Sequence, residues 1–207
     1  MNQFFLFSDR LTAPDTILKF IPNPMNPIIQ LLEARKASRS FSSKPLPPEA
    51  LTEMAEAARL TPSCFNNQPW RFLFLESEPA LEKGRHALTG GNRAWALKAP
   101  LLIIGYSRPQ DDCRLKDGRE YHQFDLGMSC MNIMLAATHQ GLNARPLAGF
   151  DPEIIRTVFG LAPEYQPLVM IAVGYESSDE SHLPANYRGL AGKPRLRKSV
   201  DEFLKRL

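Results

Sequence analysis

The chain has 207 residues, 43% of them hydrophobic and 23% charged, which is enough for one large domain or two small ones. This composition excludes an intrinsically disordered chain, and no apolar run reaches the length of a membrane span. The formal net charge of +3 is too small to indicate nucleic-acid binding by itself.

The cysteines and the first residues both bear on the cellular compartment. Cys64, Cys113 and Cys130 are widely spaced and include no Cys-x-x-Cys pair. That count favours free thiols in a reducing compartment over a disulfide framework. The first ten residues lack the basic start and the long apolar core of a signal peptide. We therefore expect a cytoplasmic protein with free thiols.

Prolines interrupt any regular helix in the first 27 residues. We predict an N-terminal extension over residues 1–26, to which we assign no chemistry, followed by one domain over residues 27–207. An apolar pattern predicts that this domain opens with a short helix from Pro27 to about Ala37.

A second helix is predicted over residues 49–60, where apolar side chains recur at helical spacing on one face. Pro48 suits its first turn, and Pro62 should end it. Three apolar runs then predict strands at residues 71–76, 99–106 and 168–175.

Residues 124–140, between the last two predicted strands, are apolar on nearly every side of the expected helix. A helix without a polar face is buried, either centrally or against a partner subunit. Gly141 should cap it, and a further helix over residues 151–160 begins with Asp151 as its N-cap. Helices and strands are mixed without strict alternation, which predicts an α+β domain and not a doubly wound nucleotide-binding fold.

Two basic clusters stand near opposite ends of the predicted domain. Each alone has the composition of a solvated basic face. Brought together by folding, they would form one site for a phosphate group, whose oxygens match the planar fork of arginine. The clusters consist of Arg35, Lys36 and Arg39, and of Lys193, Arg195, Arg197 and Lys198.

The loop TPSCFNNQPW, residues 61–70, bunches side-chain amides that neither a solvated turn nor a packed core requires. Asn and Gln each offer a donor and an acceptor, as the edge of a uracil-like ring demands. A phosphate clamp together with this amide-rich loop predicts a site for flavin mononucleotide (FMN).

Several segments, in this order, resemble the FMN-dependent nitroreductase family. The resemblance covers about residues 26–200. It implies a three-layer α+β fold with a mostly antiparallel central sheet, in an entwined homodimer that holds FMN at its interface. It also implies ping-pong reduction, in which NADH or NADPH reduces the flavin and leaves before a nitro compound, quinone or other small acceptor is reduced. The segments are RKASRSF (35–41), AARLTPSCFNNQPWRF (57–72), GLNARPLAGFDPE (141–153), VGYE (173–176) and KPRLR (193–197).

The resemblance also implies roles for single residues. Arg35 would bind the phosphate, with Lys36 contributing through charge or backbone, and Arg39 would lie near the pyrimidine ring. Asn66 would read the edge of that ring. Ala37 stands where the family usually has Ser, and the missing hydrogen bond is worth about 0.5–1.5 kcal/mol.

The turn PLAGF carries a further implied contact, because the family brings the backbone of this turn close to flavin N5. The residues concerned are Pro146, Leu147, Ala148 and Gly149. Gly149 would permit the approach because it has no side chain. Lys193 and Arg195 would return to the phosphate, with the partner chain as one source.

No catalytic side chain and no metal site are predicted, because no histidine spacing, triad or carboxylate pair is present. Cys64 is expected to be a buried or half-buried thiol, and Trp95 either packs in the core or lines the acceptor pocket.

Two alternative functions stay open. The first keeps the fold but reduces enals or semialdehydes, removes halide or destroys flavin. The second is a flavin or nucleotide binder without turnover, whose basic tail contacts protein or nucleic acid. The leading hypothesis needs neither a nucleic-acid nor a membrane partner, and it leaves the choice between NADH and NADPH open.

Overall fold

A computed structural model describes residues 26–207. The predicted extension over residues 1–26 lies outside the described residues, apart from Asn26, which caps the first helix. The helices are α1 (Pro27–Ala34), α2 (Pro48–Arg59), α3 (Glu78–His86), α4 (Gly90–Ala96), α5 (Tyr121–His139) and α6 (Pro152–Phe159). The strands are β1 (Arg71–Leu75), β2 (Leu101–Ser107), β3 (Asn143–Leu147) and β4 (Gln166–Gly174).

The four strands form one antiparallel sheet in the order β1-β2-β4-β3, so β1 and β3 are its edges. Helices cover both faces. Along β2, Leu101 and Ile103 pack with α2 and α5, whereas Leu102 and Ile104 pack with α3, α4 and α6. Burial on both faces explains why β2 and β4 are continuous apolar runs in the sequence. The predicted three-layer α+β architecture is confirmed.

One side of the long helix α5 is buried within the subunit, whereas Phe124 is 55% exposed and Leu135 lines an open groove on the other side. Its inward side carries eight buried residues, three of them polar: His122, Asp125 and Ser129. Gly141 follows the helix with φ 73° and donates to the Thr138 carbonyl. The amide of the next residue reaches one carbonyl further back, so the helix ends in the glycine cap that the sequence predicts.

The sequence patterns predict neither α3, α4 nor β3. α3 buries only Leu81 and Gly84, so its apolar stripe is short. α4 begins with two glycines, the poorest helix formers after proline. β3 contains Pro146, which only an edge strand tolerates.

The prediction of free thiols is wrong for two of the three cysteines. Cys64 and Cys113 form a disulfide with their Cα atoms 6.2 Å apart, and Cys130 alone is free and buried. The two partners are separated by 49 positions in the sequence. Their proximity comes from the folding of the 63–68 loop against the segment after β2, which cysteine spacing cannot reveal.

Candidate functional site

The two predicted basic clusters meet in one groove, which we call the basic groove. It has a volume of about 460 Å³ and lies between the end of α1 and the C-terminal segment. The lining residues are Glu33, Arg35, Lys36, Ala37, Ser38, Leu190, Ala191, Gly192, Lys193, Pro194, Arg195 and Arg197. Residues about 160 positions apart in the sequence therefore share one surface within a single chain.

Arg195 joins the two sides of the basic groove. Its Nη1 donates to the carbonyls of Leu32 at 3.2 Å and Arg35 at 2.8 Å, and its Nη2 donates to the Glu33 carbonyl at 2.6 Å. These carbonyls lie at the C-terminal end of α1, where a cation is favoured by the helix dipole. Arg195 thus fastens the C-terminal segment to α1.

Among residues 26–207, no carboxylate forms an ion pair with a cation of the basic groove, although Glu33 is one of its lining residues. Burial lowers the pKa of Arg35, and the nearby Arg195 and Arg197 lower it further. None of the ion pairs among residues 26–207 includes Arg35. A half-buried cation surrounded by other cations is stabilised by an anion. The groove therefore suits a phosphate.

Next to the groove, two arginines lie against aromatic rings, and we call these four residues the arginine–aromatic cluster. The Arg39 guanidinium carbon lies 4.4 Å from the centre of the Tyr187 ring, and that of Arg145 lies 5.1 Å from the centre of the Trp95 ring. The Nε atoms of both arginines are buried without a hydrogen-bond partner. Buried donors without a partner are uncommon in a packed core, so they mark this cluster as a candidate ligand site.

Two residues of this cluster, Arg145 and Tyr187, are not among the site residues predicted from the sequence, and Arg145 is the charged one. Its Nη1 donates to the carbonyl of Ala37. Burial lowers its pKa to about 10, Arg39 and Arg35 act in the same direction, and Tyr187 opposes them. The side chain is still a cation at neutral pH. Its only sequence signal is a charge in the otherwise apolar stretch before Pro146.

Trp95 is buried in the core under Arg145, so the first of its two predicted roles, core packing, describes it. In the PLAGF turn, Pro146 and Ala148 are exposed and Leu147 is buried in the core. Of Leu147, only the backbone is therefore available to a ligand.

Gly149 packs against the start of α4. Its carbonyl accepts hydrogen bonds from Thr89 Oγ1 at 2.9 Å and from Asn92 Nδ2 at 3.0 Å. A Cβ added at position 149 would lie 2.7 Å from Thr89 Oγ1. Close packing against α4 is thus one reason for glycine at position 149. The resemblance implies a second reason, the approach of this backbone to a ligand.

Asn66 lies in a tightly restrained loop. Phe65, Asn66 and Gln68 have φ of 47°, 59° and 50°, a region that non-glycine residues seldom adopt. The Cys64 amide donates to Asp125 at 2.8 Å and the Gln68 amide donates to the Ser63 hydroxyl at 2.9 Å. Strained backbone held by this many contacts is typical of ligand-binding loops.

Within one chain, however, Asn66 is not brought to the basic groove. The loop precedes Arg71, which starts the edge strand β1 opposite Tyr106. Arg145 lies on the other edge strand and pairs with Ala172, near the opposite end of β4. Strand spacing of about 4.8 Å and a rise of about 3.4 Å per residue put these positions about 20 Å apart.

Two buried acidic residues, Asp112 and Asp125, accept hydrogen bonds from the 63–68 loop. Asp125 is fully buried; its Oδ2 accepts the Cys64 amide, and its Oδ1 has no partner. Burial raises the pKa of Asp125, the Cys64 amide opposes this, and the neighbouring Asp112 adds to it. Asp112 also accepts a hydrogen bond from Asn67 at 3.2 Å. The disulfide to Cys113 closes the same region covalently.

Fold and site together define a three-layer α+β protein with a groove lined largely by cations. A sequence model of the nitroreductase family matches residues 32–87 and 74–175. The chain belongs to the nitroreductase family, as the resemblance of its segments implies.

Individual relatives agree with this membership. MhqN of Bacillus subtilis, provisionally named an NAD(P)H nitroreductase, is 27% identical over 204 residues, covering 83% of this chain and 94% of MhqN. A solved structure described as an oxidoreductase containing FMN is 26% identical, with a TM-score of 0.75 over 84% of this chain and 89% of that one. A nitroreductase-like structure in complex with FMN from Exiguobacterium sibiricum has a TM-score of 0.72 over 86% and 96% of the two chains. At 18% identity, it shows the shared fold alone.

Proposed function

We propose that the protein is an FMN-dependent oxidoreductase that takes electrons from NADH or NADPH and passes them to a nitroaromatic compound, a quinone or a related small acceptor. One observation carries the cofactor: two distant cationic segments converge on a groove without carboxylate partners for Arg35, Arg39 or Arg145. Family membership and the activities named for MhqN and for the FMN-containing relative support the same reaction class.

The basic groove is the proposed phosphate site. Arg35 and Lys193 would contact phosphate oxygens, and Lys36 would add charge. Ala37 would contribute its backbone, because it has no hydroxyl. Arg195 already uses both terminal nitrogens on α1 carbonyls, so we assign it a holding role in addition to its charge.

The flavin ring would extend from the groove towards Arg39 and the turn formed by residues 146–149. A cation beside the pyrimidine ring stabilises the negative charge that reduction adds there. The backbone of Pro146, Leu147, Ala148 and Gly149 would face the ring. FMN itself supplies the electron-transfer chemistry when bound, and the chain supplies binding, orientation and charge. This division of tasks is consistent with the absence of a predicted catalytic side chain.

The active species is proposed to be a homodimer. α1 buries none of its residues within the subunit, and Ile28 and Leu196 are exposed to 65% and 89%. An apolar groove of about 460 Å³ lies between α1, α2 and α5, lined in part by Leu31, Leu60 and Leu135. Apolar patches of this kind mark protein contacts. A second copy would also supply Asn66, because within one chain its loop leads into Arg71, which lies about 20 Å from Arg145.

We also propose that residues 27–207 form the FMN-binding domain, that no nucleic acid is needed as a partner, and that the protein is cytoplasmic. No helix among residues 26–207 combines the length and the hydropathy that crossing a bilayer requires. Free thiols no longer support a cytoplasmic location, because Cys64 and Cys113 form a disulfide.

Spectroscopy on the purified protein tests the reaction. We expect a yellow protein with one FMN per chain, whose absorbance bleaches when NADH or NADPH is added without oxygen. Reoxidation by nitroaromatics and quinones, compared with enals and semialdehydes, identifies the acceptor class. A colourless protein that refuses added FMN refutes the proposal, whereas bound FMN that neither nicotinamide reduces favours the flavin binder without turnover.

Arg35→Ala tests the phosphate assignment. Loss of a charge-assisted hydrogen bond, about 1.5–3 kcal/mol, should weaken FMN binding roughly 10- to 150-fold. Arg59→Ala is the matched control, because Arg59 is exposed on α2 and pairs only with Glu56. A dissociation constant for FMN that is the same in Arg35→Ala, Arg59→Ala and the wild type would show that the phosphate lies elsewhere.

A further inference from the structure

Arg145 has the surroundings of a ligand-binding residue rather than of a structural ion pair. Its charged neighbours are Arg39 and Arg35, and no ion pair among residues 26–207 includes it. A half-buried guanidinium among like charges costs stability unless an anion completes the site. Among residues 26–207, the Nε atoms of Arg39 and Arg145 have no hydrogen-bond partner but are buried, so such an anion would meet the terminal nitrogens of the two guanidinium groups.

The rest of the Arg145 side chain is fixed in place. One terminal nitrogen donates to the Ala37 carbonyl, and the guanidinium lies over Trp95, which is itself buried. The backbone is held by strand pairing with Ala172. A cation anchored by a ring, a carbonyl and a strand is pre-organised, so it loses little conformational entropy when it binds a ligand.

The position of Arg145 distinguishes it from the phosphate-binding cations. Arg145 does not line the basic groove, whereas Arg35, Lys193 and Arg197 do. It stands instead with Arg39, Tyr187 and Trp95, where two cations accompany two aromatic rings. Its strand also continues directly into the 146–149 turn. Trp95 is buried under Arg145 and offers no free face, so the feature that suits a ring carrying negative charge is the pair of cations beside this turn, which have no ion-pair partner among residues 26–207.

We propose that Arg145 is a second ring-binding cation, which acts beside Arg39 on the pyrimidine edge of FMN and favours the reduced, negatively charged flavin over the oxidised one. This inference rests on the proposed function. It adds a specific residue and a specific quantity, the reduction potential of the bound cofactor. A positive charge at that edge raises the potential, because it stabilises the electron-rich state selectively.

The test compares the two-electron reduction potential of FMN bound to the wild type, to Arg145→Met and to Arg145→Lys. Loss of the guanidinium should reduce the preference for reduced over oxidised FMN about 10- to 100-fold. At 29.6 mV per tenfold change, the potential of Arg145→Met falls by about 30–60 mV. Lys keeps the charge but loses the planar fork, so Arg145→Lys should shift less in the same direction.

Arg108→Met is the matched control. Arg108 also lies over an aromatic ring, 4.7 Å from the centre of Tyr165, but it is paired with Asp111 and Glu164. It follows Ser107, which pairs with Gln166, six positions along β4 from the partner of Arg145. That separation is about 20 Å at the rise of a strand. The control should leave the potential of bound FMN unchanged.

Each outcome decides a different question. A wild type that does not bind FMN refutes the proposed function, whereas a wild type that binds FMN with the same potential as both Arg145 variants refutes only the role of Arg145. The affinities for FMN and for riboflavin, which lacks the phosphate, show whether a residue contacts the phosphate or the ring. If Arg145→Met loses the preference for FMN over riboflavin, Arg145 binds the phosphate and the ring assignment is wrong. Should Arg145→Met not fold, Arg145→Lys and Arg145→Gln decide by the same criteria.

Discussion

Reducing the Cys64–Cys113 disulfide should destabilise the protein by an amount that follows from its place in the chain. The bond joins residues 49 positions apart. The chain-entropy relation for a closed loop of that length gives about 4 kcal/mol at 25 °C. Measured values for disulfides are typically about 2–4 kcal/mol, so we expect a loss in that range. Against a usual total of about 5–15 kcal/mol, this is a large fraction of the stability.

The measurement is urea unfolding, followed by circular dichroism, of the wild type and of Cys113→Ser, each with and without a thiol reductant. Reductant should lower the unfolding midpoint of the wild type to near that of Cys113→Ser. It should leave the midpoint of the variant unchanged, because the remaining free thiols, including the buried Cys130, are already reduced.

Thiol titration of the denatured chain is the independent control. Protein purified without reductant should show one free thiol when denatured, and three after reduction. Three thiols without reduction, or wild-type midpoints that coincide in both conditions, would contradict the pairing. In the reduced protein, the hydrogen bonds from the Cys64 amide to Asp125 and from the Gln68 amide to Ser63 still hold the 63–68 loop. Loss of stability without loss of the fold is therefore the expected result.

The remaining predictions concern packing and pH. Gly149→Ala should cost about 1–3 kcal/mol in urea unfolding, because its Cβ meets Thr89 and Asn92. Gly90 lies on α4 and faces open space, so Gly90→Ala should leave the stability unchanged. Equal unfolding midpoints for the two variants would contradict the packing role of Gly149. Burial raises the pKa of Asp125 above its ordinary 3.8. Since the unfolded chain then loses this proton at lower pH than the folded one, stability falls as pH rises from about 3.8 through the folded pKa. Asp125→Asn should remove that fall, and unfolding midpoints with the same pH slope in variant and wild type would show that Asp125 does not cause it.

Long, locally determined elements could be predicted from the sequence. The strands β2 and β4 are buried over most of their length, so apolar residues dominate them. The caps of α5 and α6 depend on single residues, Gly141 and Asp151. Elements that depend on tertiary partners could not. α4 begins with two glycines, which are poor helix formers, and its buried residues are Trp95 and Ala96 at its other end. β3 tolerates Pro146 because, among residues 26–207, it is an edge strand that pairs with β4.

For the candidate site, the sequence likewise predicts which residue types could bind a ligand, but not where the fold places them. The sequence identifies which cations could bind a phosphate, and the chain brings them to one groove. It could not show that Arg195 spends its donors on the end of α1, nor that Asn66 lies at the far edge of the sheet. Both facts depend on how the chain is wound and not on local pattern.

Ala37 illustrates why a departure from a family pattern has to be judged in three dimensions. From the sequence, the missing hydroxyl at this position removes one hydrogen bond of about 0.5–1.5 kcal/mol. In the folded chain, the carbonyl of Ala37 accepts a hydrogen bond from Arg145, so this cation is held against the backbone of the residue that lacks the hydroxyl. A charge-assisted contact is roughly twice as strong as a neutral one. A cationic donor 108 positions away therefore lies where the local sequence shows only a loss, and the affinity of the site cannot be judged from residues 35–41 alone.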